Sequence, residues 1–140
     1  MKIVTHSPEE TEEFGRKVGL KLRGDELIAL YGELGSGKTV LARGIIKGAG
    51  CPDVEVKSPS FIWVVEYECR FKVFHVDLYR GEVDFPLLWD YLRVPGVVVI
   101  EWADRVAEYL PGGRIDIFLK IVGEAERVIE MKVVPLTGVS

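Results

Sequence analysis

From Gly32 to Thr39 the chain reads Gly-Glu-Leu-Gly-Ser-Gly-Lys-Thr, its first and last glycines separated by four residues and the last followed directly by lysine and threonine. That is the G-x-x-x-x-G-K-[ST] pattern, in which a glycine-rich turn aims backbone amides at a phosphate, the lysine reaches the β- and γ-phosphates and the hydroxyl holds Mg²⁺. Phosphate chemistry of this kind also needs a carboxylate at the end of a neighbouring buried strand. Two acids qualify by position. Glu101 ends the fully apolar run Val97-Val98-Val99-Ile100, and Asp77 ends the half-alternating run Phe74-His75-Val76. The apolar run makes Glu101 the metal candidate and leaves Asp77 to orient an attacking water, although strand-terminal acids also serve simply to cap turns. The chain contains neither Asn nor Gln, which excludes a water-positioning glutamine and a base-reading Asn-Lys-x-Asp, and with them a GTPase.

The glycine loop works only where a strand precedes it and a helix follows, because the amides and the positive helix end must meet at one point. Leu27-Ile28-Ala29-Leu30-Tyr31 supplies the strand, apolar throughout and broken at Gly32, and Val40, Leu41, Ile45 and Ile46 give 39–48 helical spacing. Upstream, Ser7-Pro8 with Glu10 has the form of a capping box. Phe14, Val18 and Leu22 recur on one face, and Gly24 is placed to stop that helix. Downstream, 61–65 and 71–76 read as a hairpin turning at Cys69-Arg70, 84–93 as a helix despite Pro86, 97–100 as a buried strand, 103–109 as a short helix, and 115–122 with 127–134 as a terminal hairpin. These elements predict an α/β fold: a single domain over 1–140, its central mixed sheet flanked by helices and completed by a C-terminal β-hairpin.

Composition narrows the partners. With 140 residues, 48% hydrophobic and 29% charged, the chain is too apolar for disorder, and no apolar run approaches the roughly 20 residues of a spanning helix, so the expectation is a cytoplasmic protein with no membrane role. The formal charge of −4, without basic clusters, argues against an autonomous grip on nucleic acid. Cys51 and Cys69 are expected as free buried thiols rather than metal ligands. Loss of the thermolabile amides is a habit of heat-adapted proteins, so a thermophilic source and a high melting temperature are expected. Ser58-Pro59-Ser60-Phe61 can be a turn or a loop folding over a nucleotide. His75 can be a hydrogen-bonded packing residue or a catalyst, and Trp102 can stack on a base or fill a layer.

Taken together, the capped segment from Ser7 to Thr11, the loop ending Leu34-Gly35-Ser36-Gly37-Lys38-Thr39, Ser58-Pro59-Ser60-Phe61, His75-Val76-Asp77-Leu78-Tyr79-Arg80 and Ile100-Glu101-Trp102 resemble the TsaE (formerly YjeE) family over about residues 5 to 134. That family comprises the small ATPases of tRNA threonylcarbamoyladenosine biosynthesis. The resemblance implies an ATP hydrolase that uses Mg²⁺ and acts with TsaB and TsaD in modifying adenosine 37 of tRNAs reading ANN codons, slow alone and touching tRNA only through its partners. It implies Gly35, Ser36, Gly37, Lys38, Thr39, Val40, Thr11 and Trp102 at the nucleotide, Thr39 and Glu101 at the metal, Asp77 and Glu101 in catalysis, and Ser58, Pro59, Ser60 and Phe61 as a switch-like loop. Ser36 and Ser60 stand where the family commonly has Ala and Thr, and Gly81 replaces a usual apolar residue. A small-molecule P-loop kinase and a non-hydrolysing nucleotide-sensing subunit are the alternative readings. The first lacks its customary helical substrate and lid segments here, because 61–77 reads as strands. The second shares every motif and differs only in turnover.

Overall fold

The computed structural model describes residues 1–52 and 63–136. In chain order the elements are β1 (Lys2–Thr5), α1 (Pro8–Leu20), β2 (Leu27–Tyr31), α2 (Lys38–Gly48), β3 (Val64–Glu68), β4 (Lys72–Asp77), α3 (Phe85–Arg93), β5 (Val97–Glu101), two 3₁₀ turns (Ala103–Arg105 and Ala107–Tyr109), β6 (Ile115–Ile121) and β7 (Arg127–Val133). The strands form one sheet in the order β1-β7-β6-β2-β5-β4-β3. β4, β5, β2 and β6 run parallel in the middle, while β3, β7 and β1 pair antiparallel at the edges. This is the mixed α/β architecture expected from the apolar runs.

Those runs are apolar because both faces of the central strands are covered. Ile28, Leu30, Val73, Val97 and Val99 pack with α1 and α2 through Phe14, Val18, Leu41 and Ile45. Leu27, Ala29, Phe74, Val76, Val98 and Ile100 pack on the opposite face with Leu88 of α3 and with Ala103, Val106 and Leu110. Strand alternation then puts His75 and Asp77 on the same face as Val73, and Glu101 on the same face as Val97 and Val99. That face is the one carrying α2.

The α1–α2 seam fixes where α2 begins. Gly15 and Gly19 of α1 face Gly44 and Gly48 of α2. A Cβ at Gly44 would overlap the carbonyl oxygen of Glu12, one at Gly48 that of Arg16, and one at Gly19 that of Ile45. The helix backbones therefore touch, and nothing larger than glycine fits between them. The Phe14 stripe alone does not show this contact; its signal in the sequence is the four-residue spacing within each glycine pair.

Several local expectations need correction. Cys51 and Cys69 are joined as a disulfide, with a Cα–Cα distance of 5.1 Å, and are not free thiols. Spacing could not reveal this, because the pair forms through tertiary packing. The turn after β3 lies against the end of α2, where the Arg70 N–H donates to Ala49 O at 3.0 Å and its guanidinium to Gly48 O at 2.7 Å. α1 ends at Leu20, before Gly24, which instead takes φ +121° in the turn into β2. Ser7 does cap α1 by accepting from Glu10 N at 3.1 Å, but the Glu10 carboxylate reaches back to His6 N rather than to Ser7 N. β1 was not anticipated: four residues at the chain start gain strand structure only by pairing with β7. Of the strand expected over 61–65, residues 61 and 62 lie outside the described residues and β3 starts at Val64, while the short helix over 103–109 is two 3₁₀ turns.

Candidate functional site

β2, β5 and β4 end side by side, Leu30 pairing with Glu101 and Glu101 with Asp77. Just beyond β2 the loop 32–37 turns back into α2. This turn needs left-handed backbone at Gly35 (φ +81°) and Gly37 (φ +102°), conformations that cost glycine little and other residues much. Gly37 is the N-cap of α2 and offers no capping side chain, so the first amides of the helix have no side-chain partner there. The helix dipole adds to them, and the result is an anion-binding point at the C-terminal edge of the parallel strands.

A cavity of about 440 Å³ opens at this point. Residues 34 to 40 line it together with Asp77, Tyr79, Arg80, Glu101 and Trp102. Gly35, Ser36, Gly37, Lys38, Thr39, Val40, Asp77, Glu101 and Trp102 are thus brought together from three separate stretches of sequence. Thr11 is not in this cavity. It is buried, its hydroxyl 2.8 Å from that of Thr5, and it lines a second space of about 170 Å³ on the other side of the loop, bounded by Pro8, Gly35, Ser36, Gly37, Val40 and the 124–127 turn. Ser58, Pro59, Ser60 and Phe61, the expected switch-like loop, lie outside the described residues.

Lys38 is folded onto the loop, donating to Gly32 O at 2.5 Å and Glu33 O at 3.0 Å, with its ammonium 3.7 Å from the centre of the Trp102 ring. Burial holds its pKa below the ordinary lysine value, against the pull of the Glu101, Asp104, Asp77 and Glu33 carboxylates. Trp102 reaches this position through a left-handed backbone (φ 60°), the single positive φ outside glycine among the described residues, and its ring lies 5.0 Å from that of Tyr79. Such a conformation is unfavourable for a bulky residue and is held by the packing around it. The Trp102 ring thus covers the lysine.

The carboxylates differ in their surroundings. Glu101 is buried and accepts from the Thr39 hydroxyl at 2.8 Å through Oε1, while Oε2 lies 2.6 Å from His75 Nε2. His75 is fully buried and its Nδ1 has no partner among the described residues. A ring protonated at Nε2 and bare at Nδ1 fits both facts, since it makes the bond to Glu101 and leaves no buried N–H unmet. His75 is therefore a packing residue that also orients Glu101, a role that its place among apolar residues could not reveal. Asp77 accepts from Tyr79 N at 3.0 Å. Burial pushes its carboxyl above the ordinary value and the Glu101 charge adds to this, while the Tyr79 N–H and Lys38 pull the other way.

The donor set suits Mg²⁺. Among the described residues no cluster of three or more His, Cys, Asp or Glu could hold a metal alone, whereas one hydroxyl and one carboxylate oxygen already meet at Thr39 and Glu101. A hard cation that keeps its waters and takes the rest of its ligands from phosphates needs no more from the protein.

Sequence reasoning missed Arg127, the first residue of β7. Its guanidinium donates to Ser36 O and Gly35 O, both at 3.1 Å, and to Gly123 O and Glu126 O at 3.2 and 2.9 Å. Only the folded hairpin brings it to the loop, so no local spacing announced it.

Residues 5–129 match the family described as Threonylcarbamoyl adenosine biosynthesis protein TsaE. Among relatives named tRNA threonylcarbamoyladenosine biosynthesis protein TsaE, that of Treponema pallidum is 32% identical, covering 92% of this chain and 98% of its own. That of Bacillus subtilis is 33% identical, covering 92% and 83%. The crystal structure of YdiB from Bacillus subtilis superposes with a TM-score of 0.81 at 30% identity, over 96% of this chain and 85% of the other.

Proposed function

Because the chain belongs to the TsaE family of threonylcarbamoyl adenosine biosynthesis proteins, we propose that it serves this tRNA modification as a nucleotide-binding P-loop protein that hydrolyses ATP with Mg²⁺. The observation that carries the reading is the convergence of Lys38, Thr39, Glu101 and Asp77 on one cavity at the N-terminus of α2.

In this reading the loop from Gly35 to Thr39 holds the phosphates through the amides of Gly35, Gly37, Lys38 and Thr39 and the Lys38 ammonium, the Ser36 N–H being taken by Glu33 O. Lys38 leaves the carbonyls of Gly32 and Glu33 to do so, and Trp102 and Tyr79 wall the cavity beside it. Thr39 and Glu101 would hold Mg²⁺, with His75 keeping the Glu101 carboxylate in place. When bound, the ion neutralises charge on the phosphate oxygens. Asp77 orients the attacking water, and its raised pKa suits a group that must also be able to take a proton. Val40 and, from the far side of the loop, Thr11 adjoin the rest of the nucleotide, and Ser58 to Phe61 act as the switch-like segment. The protein works as one domain in the cytoplasm with TsaB and TsaD. A net charge of −4 gives it no electrostatic footprint for tRNA, so contact with the substrate RNA passes through those partners. Among the described residues no helix is long and apolar enough to cross a membrane.

The test is ATP turnover by the isolated chain and by the chain mixed with TsaB and TsaD, for wild type and Glu101→Gln across a Mg²⁺ titration. Slow hydrolysis alone, acceleration by the partners and a weakened Mg²⁺ response in the variant are expected. Efficient phosphorylation of a small metabolite, or tight tRNA binding by the isolated chain at physiological salt, contradicts the reading.

A further inference from the structure

The geometry points to Arg127 as a positioning residue for the phosphate loop, setting the direction of the Gly37 amide before any nucleotide arrives. This rests on the nucleotide-binding reading above and extends it to a residue of the C-terminal hairpin. The guanidinium bridges two structures that are far apart in sequence. On one side it meets Gly123 O and Glu126 O in the turn between β6 and β7, and on the other Gly35 O and Ser36 O in the loop.

A trans peptide is planar, with its C=O and N–H pointing in opposite directions. Fixing Ser36 O toward Arg127 therefore turns the Gly37 N–H away from the Arg127 guanidinium. The neighbouring unit is held twice: Arg127 takes Gly35 O, and the Ser36 N–H donates to Glu33 O at 3.0 Å. Both peptides lie next to left-handed glycines, the residues with the most backbone freedom to lose on ordering. An arginine anchored in a hairpin removes that freedom in the folded protein rather than at the moment of binding, which is how preorganisation raises affinity. A lysine at this position could not hold the Gly35 and Ser36 carbonyls together with those of Gly123 and Glu126, because only the guanidinium spreads its donors over three nitrogens in a rigid fork.

Binding of a fluorescent mant-ADP with Mg²⁺ tests the inference, using wild type, Arg127→Met and Arg127→Lys, with thermal midpoints and the Gly37 amide resonance in ¹⁵N-labelled protein as companion readouts. Losing the two charged hydrogen bonds to the loop should weaken mant-ADP binding about tenfold in Arg127→Met, with about a threefold loss in Arg127→Lys. The Gly37 amide signal should shift or broaden in both. Binding by folded Arg127→Met within about twofold of wild type, with an unmoved Gly37 resonance, overturns the inference. If Arg127→Met does not fold, Arg127→Lys decides by the same two readouts. Failure of the wild type itself to bind mant-ADP would strike the nucleotide reading instead, so the two failures are distinguishable.

Discussion

The body of α2 and its first turn are stabilised in opposite ways. Along the body, Gly44 and Gly48 press backbone against backbone with Gly15 and Gly19 of α1, and the buried residues on that side are Leu41, Ile45 and Ile46. At the first turn the buried groups are Lys38, Glu101, His75 and Ser36, the cap residue is a left-handed glycine, and Trp102 is held at positive φ. The glycine faces of the seam leave no room to move, and its charges, Glu12 with Arg43 and Lys47, are paired at its half-buried margin. The first turn has buried charges that shift pKa values and cost free energy. A helix end can carry such groups when its position is set elsewhere, and here the seam sets it.

The comparison breaks most sharply at the seam. Gly48→Ala places a methyl against the Arg16 carbonyl, a backbone atom that cannot swing aside, and should destabilise the fold by about 3 kcal/mol. A drop of roughly 10 °C in the calorimetric midpoint is expected for a chain of this size. A midpoint unchanged from wild type would mean that the helices separate freely and that something else positions α2.

At the site the sign reverses, and the effect is smaller. A carboxyl whose pKa is raised by folding binds its proton more readily in the folded state, so its contribution to stability is present at low pH and is lost as pH rises through the raised value. At neutral pH the ionised Asp77 is a net cost. Asp77→Asn keeps an oxygen for the Tyr79 N–H and removes that cost. Its midpoint at pH 7 should rise slightly over wild type, with the gain disappearing below the carboxylate range, while ATP turnover falls. A lower midpoint at pH 7 would assign Asp77 to the fold rather than to chemistry.

The same contrast explains what could be read from the sequence. The strands β2 and β5, the helix α2 and the hairpin 115–133 were legible because burial on both faces makes runs such as Val97-Val98-Val99-Ile100 continuous, and because a strand–loop–helix must surround Lys38. Glu101 and Asp77 were legible as strand-terminal acids beside a recognised loop. The seam was written in Gly15, Gly19, Gly44 and Gly48, but a four-residue glycine spacing is usually sought in membrane helices and passed unremarked. The Cys51–Cys69 disulfide, the Arg127 anchor and the His75–Glu101 bond were not legible, since each joins residues that only tertiary packing brings together. β1 was missed for the same reason.

The central claim is that the first turn of α2 serves the phosphates while the seam serves the fold. Calorimetric titration of Mg²⁺ and ADP into wild type and Lys38→Ala, each with its unfolding midpoint, tests it most directly. Removing one ammonium from an anion site should lower affinity about a hundredfold or more. The midpoint should stay within about 3 °C of wild type, because the lysine's own burial is a cost that the variant sheds. Undiminished ADP affinity in Lys38→Ala would contradict the account.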